Sequence, residues 1–366
     1  MRFAPIPQAL PAIVPFIGAE EMERRRGAPY IARLGANENG FGPSPRAHEA
    51  MIAAASEAWK YGDATSHELR LALADHHAVA AENIVVGEGI DGLLGLLVRL
   101  MVAPGEAVVT SDGAYPTLNY HVAGFGGRIE KLPYRDDRED LPALLARAAE
   151  VEARLIYLAN PDNPMGSWHD GATLTAMLDD IPPGSLLLLD EAYAEFAPEA
   201  ALPQIDPNDP RVIRMRTFSK AYGLAGLRIG YAIGAPELIA GFDRIRNHFG
   251  VNRIAQQAAL AALQDRDWLD RTRQNVADAR DRIAQIAADN GLTALLSATN
   301  FVAVDCGGDG AFARRVLGAL DRAGVFARMP GVAPLDRCIR ISCAPEAELA
   351  AFAERLPTAL DAARRS

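Results

Sequence analysis

The sequence predicts an α/β fold: a parallel or mixed sheet covered on both faces by helices, followed by a smaller α+β unit. Two observations carry that expectation. Short, continuous apolar runs recur between amphipathic stretches, the pattern left by strands that are buried on both faces and joined by helices. The chain has 366 residues, enough for a large core and two domains, and it is 49% hydrophobic and 23% charged, an ordinary globular balance.

The first 30 residues carry Pro5, Pro7, Pro11 and Pro15 and then a charged segment at 20–26, so an arm over another surface with one or two helical turns is expected. A turn-rich stretch at 34–45 leads into a helix at 45–59. Strands are expected at 83–86, 107–110, 154–159, 185–189 and 212–215, with helices at 90–101, 141–151 and 171–178. Helices at 236–246, 252–265 and 268–290 follow, and then strands at 301–304 and 338–342 with helices at 312–323 and 345–363. The boundary is placed at the long helix. That gives an arm over 1–44, packing with the small domain or a partner subunit, a large domain over 45–265 and a small one over 266–366.

A formal net charge of −10 argues against nucleic acid or an anionic membrane as the main partner. No apolar run approaches the ~20 residues of a membrane helix, and no cationic segment with an apolar core opens the chain. Cys306, Cys338 and Cys343 have an odd count and no metal-site spacing, so a reduced, cytoplasmic protein without a metal is expected.

One lysine stands out. Lys220, in Thr217-Phe218-Ser219-Lys220-Ala221-Tyr222-Gly223, sits among small and apolar residues with Arg228 nearby, and poor solvation and a second cation both lower an amine's pKa. A neutral amine can attack a carbonyl and hold it as an imine, while Thr217, Ser219 and Arg228 suit a phosphate. That combination points to pyridoxal phosphate (PLP), against the plainer reading of a solvated lysine in a Gly-rich loop.

Strand ends supply the remaining candidates, because ligands of such sheets gather at the carboxyl ends of the strands. Gly87-Glu88-Gly89-Ile90-Asp91-Gly92 matches G-x-G-x-x-G between strand and helix, with Asp112 beyond it; a dinucleotide site or a plain turn would each explain it. Either way, the backbone from Gly89 to Asp91 offers free N–H groups to some phosphate. Asp190 ends an apolar run, as a helix cap, a structural ion pair, or a carboxylate that keeps a pyridine nitrogen protonated. Tyr193 places a phenol beside it, and Glu191 reads as structural. Asn163, in a turn at 160–166, could donate to a ring hydroxyl, and Tyr115 could stack on a ring or pack in a core.

Taken together, Ser219-Lys220-Ala221-Tyr222-Gly223-Leu224-Ala225-Gly226-Leu227-Arg228, Asp190-Glu191-Ala192-Tyr193, the turn at 160–166, Ala36-Asn37-Glu38-Asn39 and Tyr61-Gly62-Asp63 resemble fold-type I PLP enzymes. Within that fold the likeness is to histidinol-phosphate aminotransferases, over about 34–344. The resemblance implies a mostly parallel, seven-stranded sheet. It makes Lys220 the imine-forming lysine and general base. Asp190 would pair with the pyridinium, Asn163 and Tyr193 would meet the ring oxygen, and Tyr115 would stack on the ring. Thr217, Ser219, Arg228 and the backbone of Gly89, Ile90 and Asp91 would hold the phosphate. Tyr61 would reach the phosphate in a partner subunit, which implies a homodimer with shared active sites. Asn37, Asn163, Arg328 and Arg340 would bind substrate, Arg340 gripping its carboxylate as a bidentate pair.

Three departures bear on specificity. Ile90-Asp91-Gly92 stands where the family has Ser-Asp-Glu, Met165 replaces a common threonine, and Phe16 replaces a tyrosine whose hydroxyl meets a substrate phosphate. The expected activity is transfer of an amino group from histidinol phosphate or an aromatic or other amino acid to a 2-oxo acid. A decarboxylase of the threonine-phosphate type shares the motifs. The effector domain of a transcription regulator would need a basic domain before residue 30, and a nucleotide-dependent dehydrogenase leaves Lys220, Asp190 and Asn163 unexplained.

Overall fold

Apolar strand runs and capped helices alternate along the chain much as the pattern demands. The computed structural model describes residues 2–12 and 17–365. It opens with Pro5–Ala9 (α1) and Ala19–Arg26 (α2), the latter with Glu20 and Glu21 in its first turn and three arginines in its last, charges that complement the helix dipole. Ala32–Arg33 (β1) follows. Pro45–Ala55 (α3) starts at a proline behind Ser44, whose hydroxyl accepts from Ala47 N–H, and it ends four residues short of the expected position.

His67–His77 (α4), which the sequence reading left out, precedes the large sheet. Ile84–Gly87 (β2), Gly89–Met101 (α5), Ala107–Ser111 (β3), Thr117–Gly124 (α6), Arg128–Leu132 (β4) and Leu141–Glu150 (α7) come next. Leu155–Ala159 (β5), Gly171–Met177 (α8), Leu186–Asp190 (β6), Val212–Thr217 (β7) and Gly230–Gly234 (β8) complete it. The strand order is β2-β8-β7-β6-β5-β3-β4. Strands β7, β6, β5, β3 and β4 run parallel, whereas β8 is antiparallel to both β7 and β2. The sheet is therefore seven-stranded and mostly parallel.

Alternation explains why the central strands look uniformly apolar. Leu155, Tyr157, Leu186 and Leu188 face one core with Leu93 and Leu97 of α5, while Ile156, Leu158, Leu187 and Leu189 face the other with Leu144 of α7 and Leu174 of α8. Register brings Ala159 opposite Asp190 and Asp190 opposite Met215, so the carboxyl ends of three parallel strands meet at one edge.

Pro236–Phe242 (α9), Arg253–Gln264 (α10) and Arg266–Asp289 (α11) lead out of the sheet, with Asn252 and Asp265 capping α10 and α11. Thr293–Ala294 (β9), Phe301–Asp305 (β10), Gly310–Arg322 (α12), Val325–Phe326 (β11), Cys338–Ser342 (β12) and Glu346–Arg365 (α13) form the remainder, with β12-β10-β9 as an antiparallel sheet. Here β1 pairs in parallel with β11, Arg33 N–H donates to Glu348 at 2.7 Å, and the Tyr30 hydroxyl donates to Asp321. Among the described residues no helix is long and apolar enough to cross a membrane, and no group of three or more His, Cys, Asp or Glu could hold a metal.

Candidate active site

Beyond the carboxyl ends of β5, β6 and β7 lies a cavity of about 320 Å³, roofed by residues 35–38 and by Arg328 and Arg340. Thirteen of the residues singled out in the sequence line it: Asn37, Ile90, Asp91, Tyr115, Asn163, Asp190, Tyr193, Thr217, Ser219, Lys220, Arg228, Arg328 and Arg340. Gly89 and Tyr61 do not. Gly89 has φ +74° and stands so close to Arg228 that a Cβ would fall 2.6 Å from Nη2.

Lys220 follows β7 on a tight turn in which Gly223 N–H donates to Lys220 C=O at 3.1 Å. Gly223 has φ +69°, and a Cβ there would stand 2.6 Å from Gly42 C. Lys220 Nζ donates to Asn37 C=O at 3.1 Å. Burial pushes the amine down to about 8, and Arg340 lowers it further, ahead of Arg228, against Asp91 and Glu38. The sequence pointed to Arg228 as the second cation; the cation with the larger effect is Arg340, which the fold delivers from β12.

Asp190 is buried at the end of β6, its Oδ2 accepting from the Tyr157 hydroxyl at 2.8 Å and its Oδ1 from Ala192 N–H at 3.0 Å. Burial raises its carboxyl to about 6, and the Tyr157 and Ala192 donors oppose that rise. Next to it, Glu191 takes Arg214 Nε and Nη2 at 3.1 and 2.9 Å and Arg216 Nε at 2.9 Å. Burial would raise Glu191, yet the two guanidiniums hold it at about 2. It is thus an internal clamp between β6 and β7.

One wall of the cavity is built from segments far apart in the chain. Asn37, at φ 53°, donates from Nδ2 to the Tyr193 hydroxyl at 3.1 Å, and its own N–H donates to Ser342 Oγ at 3.0 Å. Burial raises the Tyr193 phenol to about 12, keeping it protonated. Arg340 donates from Nη1 to Asn163 Oδ1 at 2.5 Å, while its Nε is buried without a partner. Burial lowers this guanidinium to about 10. Arg328 exchanges backbone hydrogen bonds with Arg340 and donates from Nη2 to Ile17 C=O at 2.6 Å. Phe16 lies outside the described residues.

On the opposite wall, Thr217 Oγ1 donates to Ser219 Oγ at 3.0 Å, and Arg228 donates from Nη1 to Ser219 Oγ at 3.3 Å and from Nη2 to Asp91 Oδ2 at 3.4 Å. The first turn of α5 brings the backbone of Ile90 and Asp91 to the same place. Tyr115 donates its hydroxyl to Asp91 Oδ1 at 3.0 Å, and a ring nitrogen of His121 lies 3.0 Å from Asp91 C=O. Sequence reasoning missed Tyr157, His121 and Ser342. The first is hidden in an apolar run and the other two are far along the chain from their partners. Tyr61 is 76% exposed and packs on Phe249, ring centroids 4.8 Å apart.

The family model for class I and II aminotransferases matches residues 30–356. A histidinol-phosphate aminotransferase of Moorella thermoacetica is 34% identical over 342 residues, covering 92% of this chain and 88% of that protein. Histidinol-phosphate aminotransferase 2 of Ralstonia nicotianae is 38% identical over 362 residues, covering 97% and 96%. Among solved structures, histidinol-phosphate aminotransferase from Sinorhizobium meliloti, in complex with pyridoxal 5′-phosphate, superposes with a TM-score of 0.95 at 54% identity, covering 98% of each chain. An aspartate aminotransferase from Thermus thermophilus, at 23% identity and a TM-score of 0.81, shares the fold.

Proposed function

The chain belongs to the class I and II aminotransferases, and from that premise we propose a pyridoxal 5′-phosphate-dependent transfer of an amino group from histidinol phosphate, or an aromatic amino acid, to a 2-oxo acid such as 2-oxoglutarate. The observation that carries the reading is the juxtaposition, in one cavity, of the Lys220 amine, the buried Asp190 carboxylate and the partly unpaired Arg340 guanidinium.

These residues fit the cofactor on three counts. Asp190 is a buried carboxylate with two N–H or O–H donors but no cationic partner among the described residues, which suits a protonated ring nitrogen. Lys220 Nζ has three donor positions and one backbone acceptor. Thr217, Ser219, Arg228 and the amides of Ile90 and Asp91 converge as a phosphate cradle, with Gly89 letting Arg228 close on it.

When bound, the cofactor supplies an electron sink for the charge left as the substrate's α C–H bond breaks. Asp190 would keep the ring nitrogen protonated, Asn163 and Tyr193 would face the ring oxygen, and Tyr115 would cover one ring face. Arg340 would orient the substrate by its carboxylate, with Asn37 steadying the same region. Lys220 Nζ would take the proton from the substrate's α carbon, and an amine brought down to about 8 suits a base working near neutral pH. Arg328 would meet the far end of the substrate. In sequence, Phe16 stands where the resemblance has a tyrosine whose hydroxyl meets the substrate phosphate, so that phosphate would fall to Arg328.

Tyr61, held outside its own cavity, would serve the phosphate of a second copy, so the proposed working unit is a homodimer. The cytoplasm is proposed as its place on the three free, buried thiols, each raised by burial to about 12. The named relatives favour transamination over threonine-phosphate decarboxylation.

A spectral half-reaction tests the reading. The protein loaded with pyridoxal phosphate is mixed with glutamate, histidinol phosphate or an aromatic amino acid, and the visible band is followed. Conversion by a donor and restoration by a 2-oxo acid support it; release of carbon dioxide without amino transfer would replace it with the decarboxylase.

A further inference from the structure

We propose that Tyr157 is a positioning residue for this reaction, its hydroxyl fixing the Asp190 carboxylate toward the cavity and holding it in the ionised form. The inference rests on the reading of Asp190 as the partner of the cofactor's ring nitrogen.

Strand geometry makes the contact. Ala159 pairs with Asp190 and Tyr157 with Leu188 across parallel β5 and β6, so Tyr157 and Asp190 project to the same face of the sheet, two residues out of register. Tyr157 is 0% exposed, and its neighbours on that face are Leu155, Leu186 and Leu188. A phenylalanine would fill this space as well. A hydroxyl buried there is unfavourable unless it is hydrogen-bonded, and the partner it finds is Asp190 Oδ2 at 2.8 Å. Ala192 N–H takes Oδ1 at 3.0 Å. One donor on each oxygen fixes the plane of the carboxylate and leaves each oxygen an acceptor site for a cation in the cavity.

The surroundings make the donated proton consequential. Asp91, Glu139, Asp162 and Glu191 all act on this corner of the structure, with Tyr193, Lys220 and Arg340 on the cavity side. Glu191 is matched by Arg214 and Arg216. Asp162 accepts from the Tyr134 hydroxyl at 2.8 Å and Met165 N–H at 3.1 Å, and Glu139 from the Ser111 hydroxyl at 2.6 Å and Ala159 N–H at 2.8 Å. Burial pushes Asp162 and Glu139 up, Asp162 to about 7. In such a crowd of acids, a carboxyl without its phenol donor takes up a proton near neutral pH, and a neutral acid no longer holds a ring nitrogen in its protonated form. Burial likewise raises the Tyr157 phenol well above its ordinary value, so it stays a donor throughout.

The test compares wild type, Tyr157→Phe and Asp190→Asn. In cofactor-free, ¹³C-carboxyl-labelled protein, Asp190 is identified by the resonance that Asp190→Asn removes, and its titration midpoint is measured by NMR. Tyr157→Phe is expected to move that midpoint up by about one pH unit, the effect of one hydrogen bond to a buried charge. With the midpoint moved from about 6 to about 7, it should also weaken the dissociation constant for pyridoxal phosphate and lower kcat about twofold at pH 7 and nearly tenfold at pH 5, with KM for the amino donor unchanged and kcat recovering at higher pH. A matching thermal melt shows that the variant is folded. Unchanged midpoint and cofactor affinity in Tyr157→Phe, with both affinity and turnover lost in Asp190→Asn, would reduce Tyr157 to packing and leave the site reading intact. Full cofactor affinity and turnover in Asp190→Asn would overturn both.

Discussion

Asp190 is held ionised at neutral pH at the expense of stability, and the sign of that effect can be measured. Its carboxyl titrates at about 6 in the fold against roughly 3.9 in an unfolded chain, so the folded state binds the proton more tightly. Stability therefore falls as pH rises through that window, and the full penalty applies above it. Cofactor-free Asp190→Asn should be about 2–3 kcal/mol more stable than wild type at pH 7, an advantage that vanishes near pH 4; urea melts at the two pH values check it. Lys220→Ala should stay folded while losing the visible band and transaminase activity. Arg340→Ala should raise KM for the carboxylate substrate roughly 10- to 100-fold, the worth of hydrogen bonds to a buried charge. Cavity residues grouped in a local segment, Lys220 with Ser219 and Arg228, or Asp190 with Tyr193, could be picked out in the sequence. Tyr157, His121 and Ser342 could not, since their hydrogen-bond partners lie 33, 30 and 305 residues away.

At the scale of elements, the continuous apolar runs gave away β5, β6 and β7 because both faces of those strands are buried. Two strands of the large sheet escaped. β4 is the edge of the sheet and exposes Arg128 and Lys131, a charged edge that discourages further pairing and also hides the strand pattern. β8 is bracketed by Gly230 and Gly234, where small residues let backbones approach: a Cβ on Gly230 would lie 2.8 Å from Arg216 C=O. The turn after Lys220 makes the same demand, so Gly223→Ala, forced into φ +69° and against Gly42, should cost at least about 1–3 kcal/mol. Its thermal melt should fall, and its affinity for pyridoxal phosphate with it, because that turn sets the lysine.

For the whole molecule, the proposed homodimer makes a prediction of its own. Tyr61 and Phe249 are 76% and 51% exposed, and their rings pack at a tilt of 33°, apolar surface that a second copy would bury. On the proposed homodimer, Phe249→Asp should shift sedimentation toward monomer and make specific activity fall on dilution, while wild type holds its activity over the same range. The roof of the cavity joins the two ends of the chain. Asn37 hydrogen-bonds Ser342 across 305 residues, and Leu34 C=O accepts from Ser342 N–H. Contacts so distant in sequence form late and slow folding. During synthesis, the sheet bearing Lys220 and Asp190 would therefore form while the roof stays open, and on the proposed role of Arg340 a nascent chain would be inert until β12 has left the ribosome.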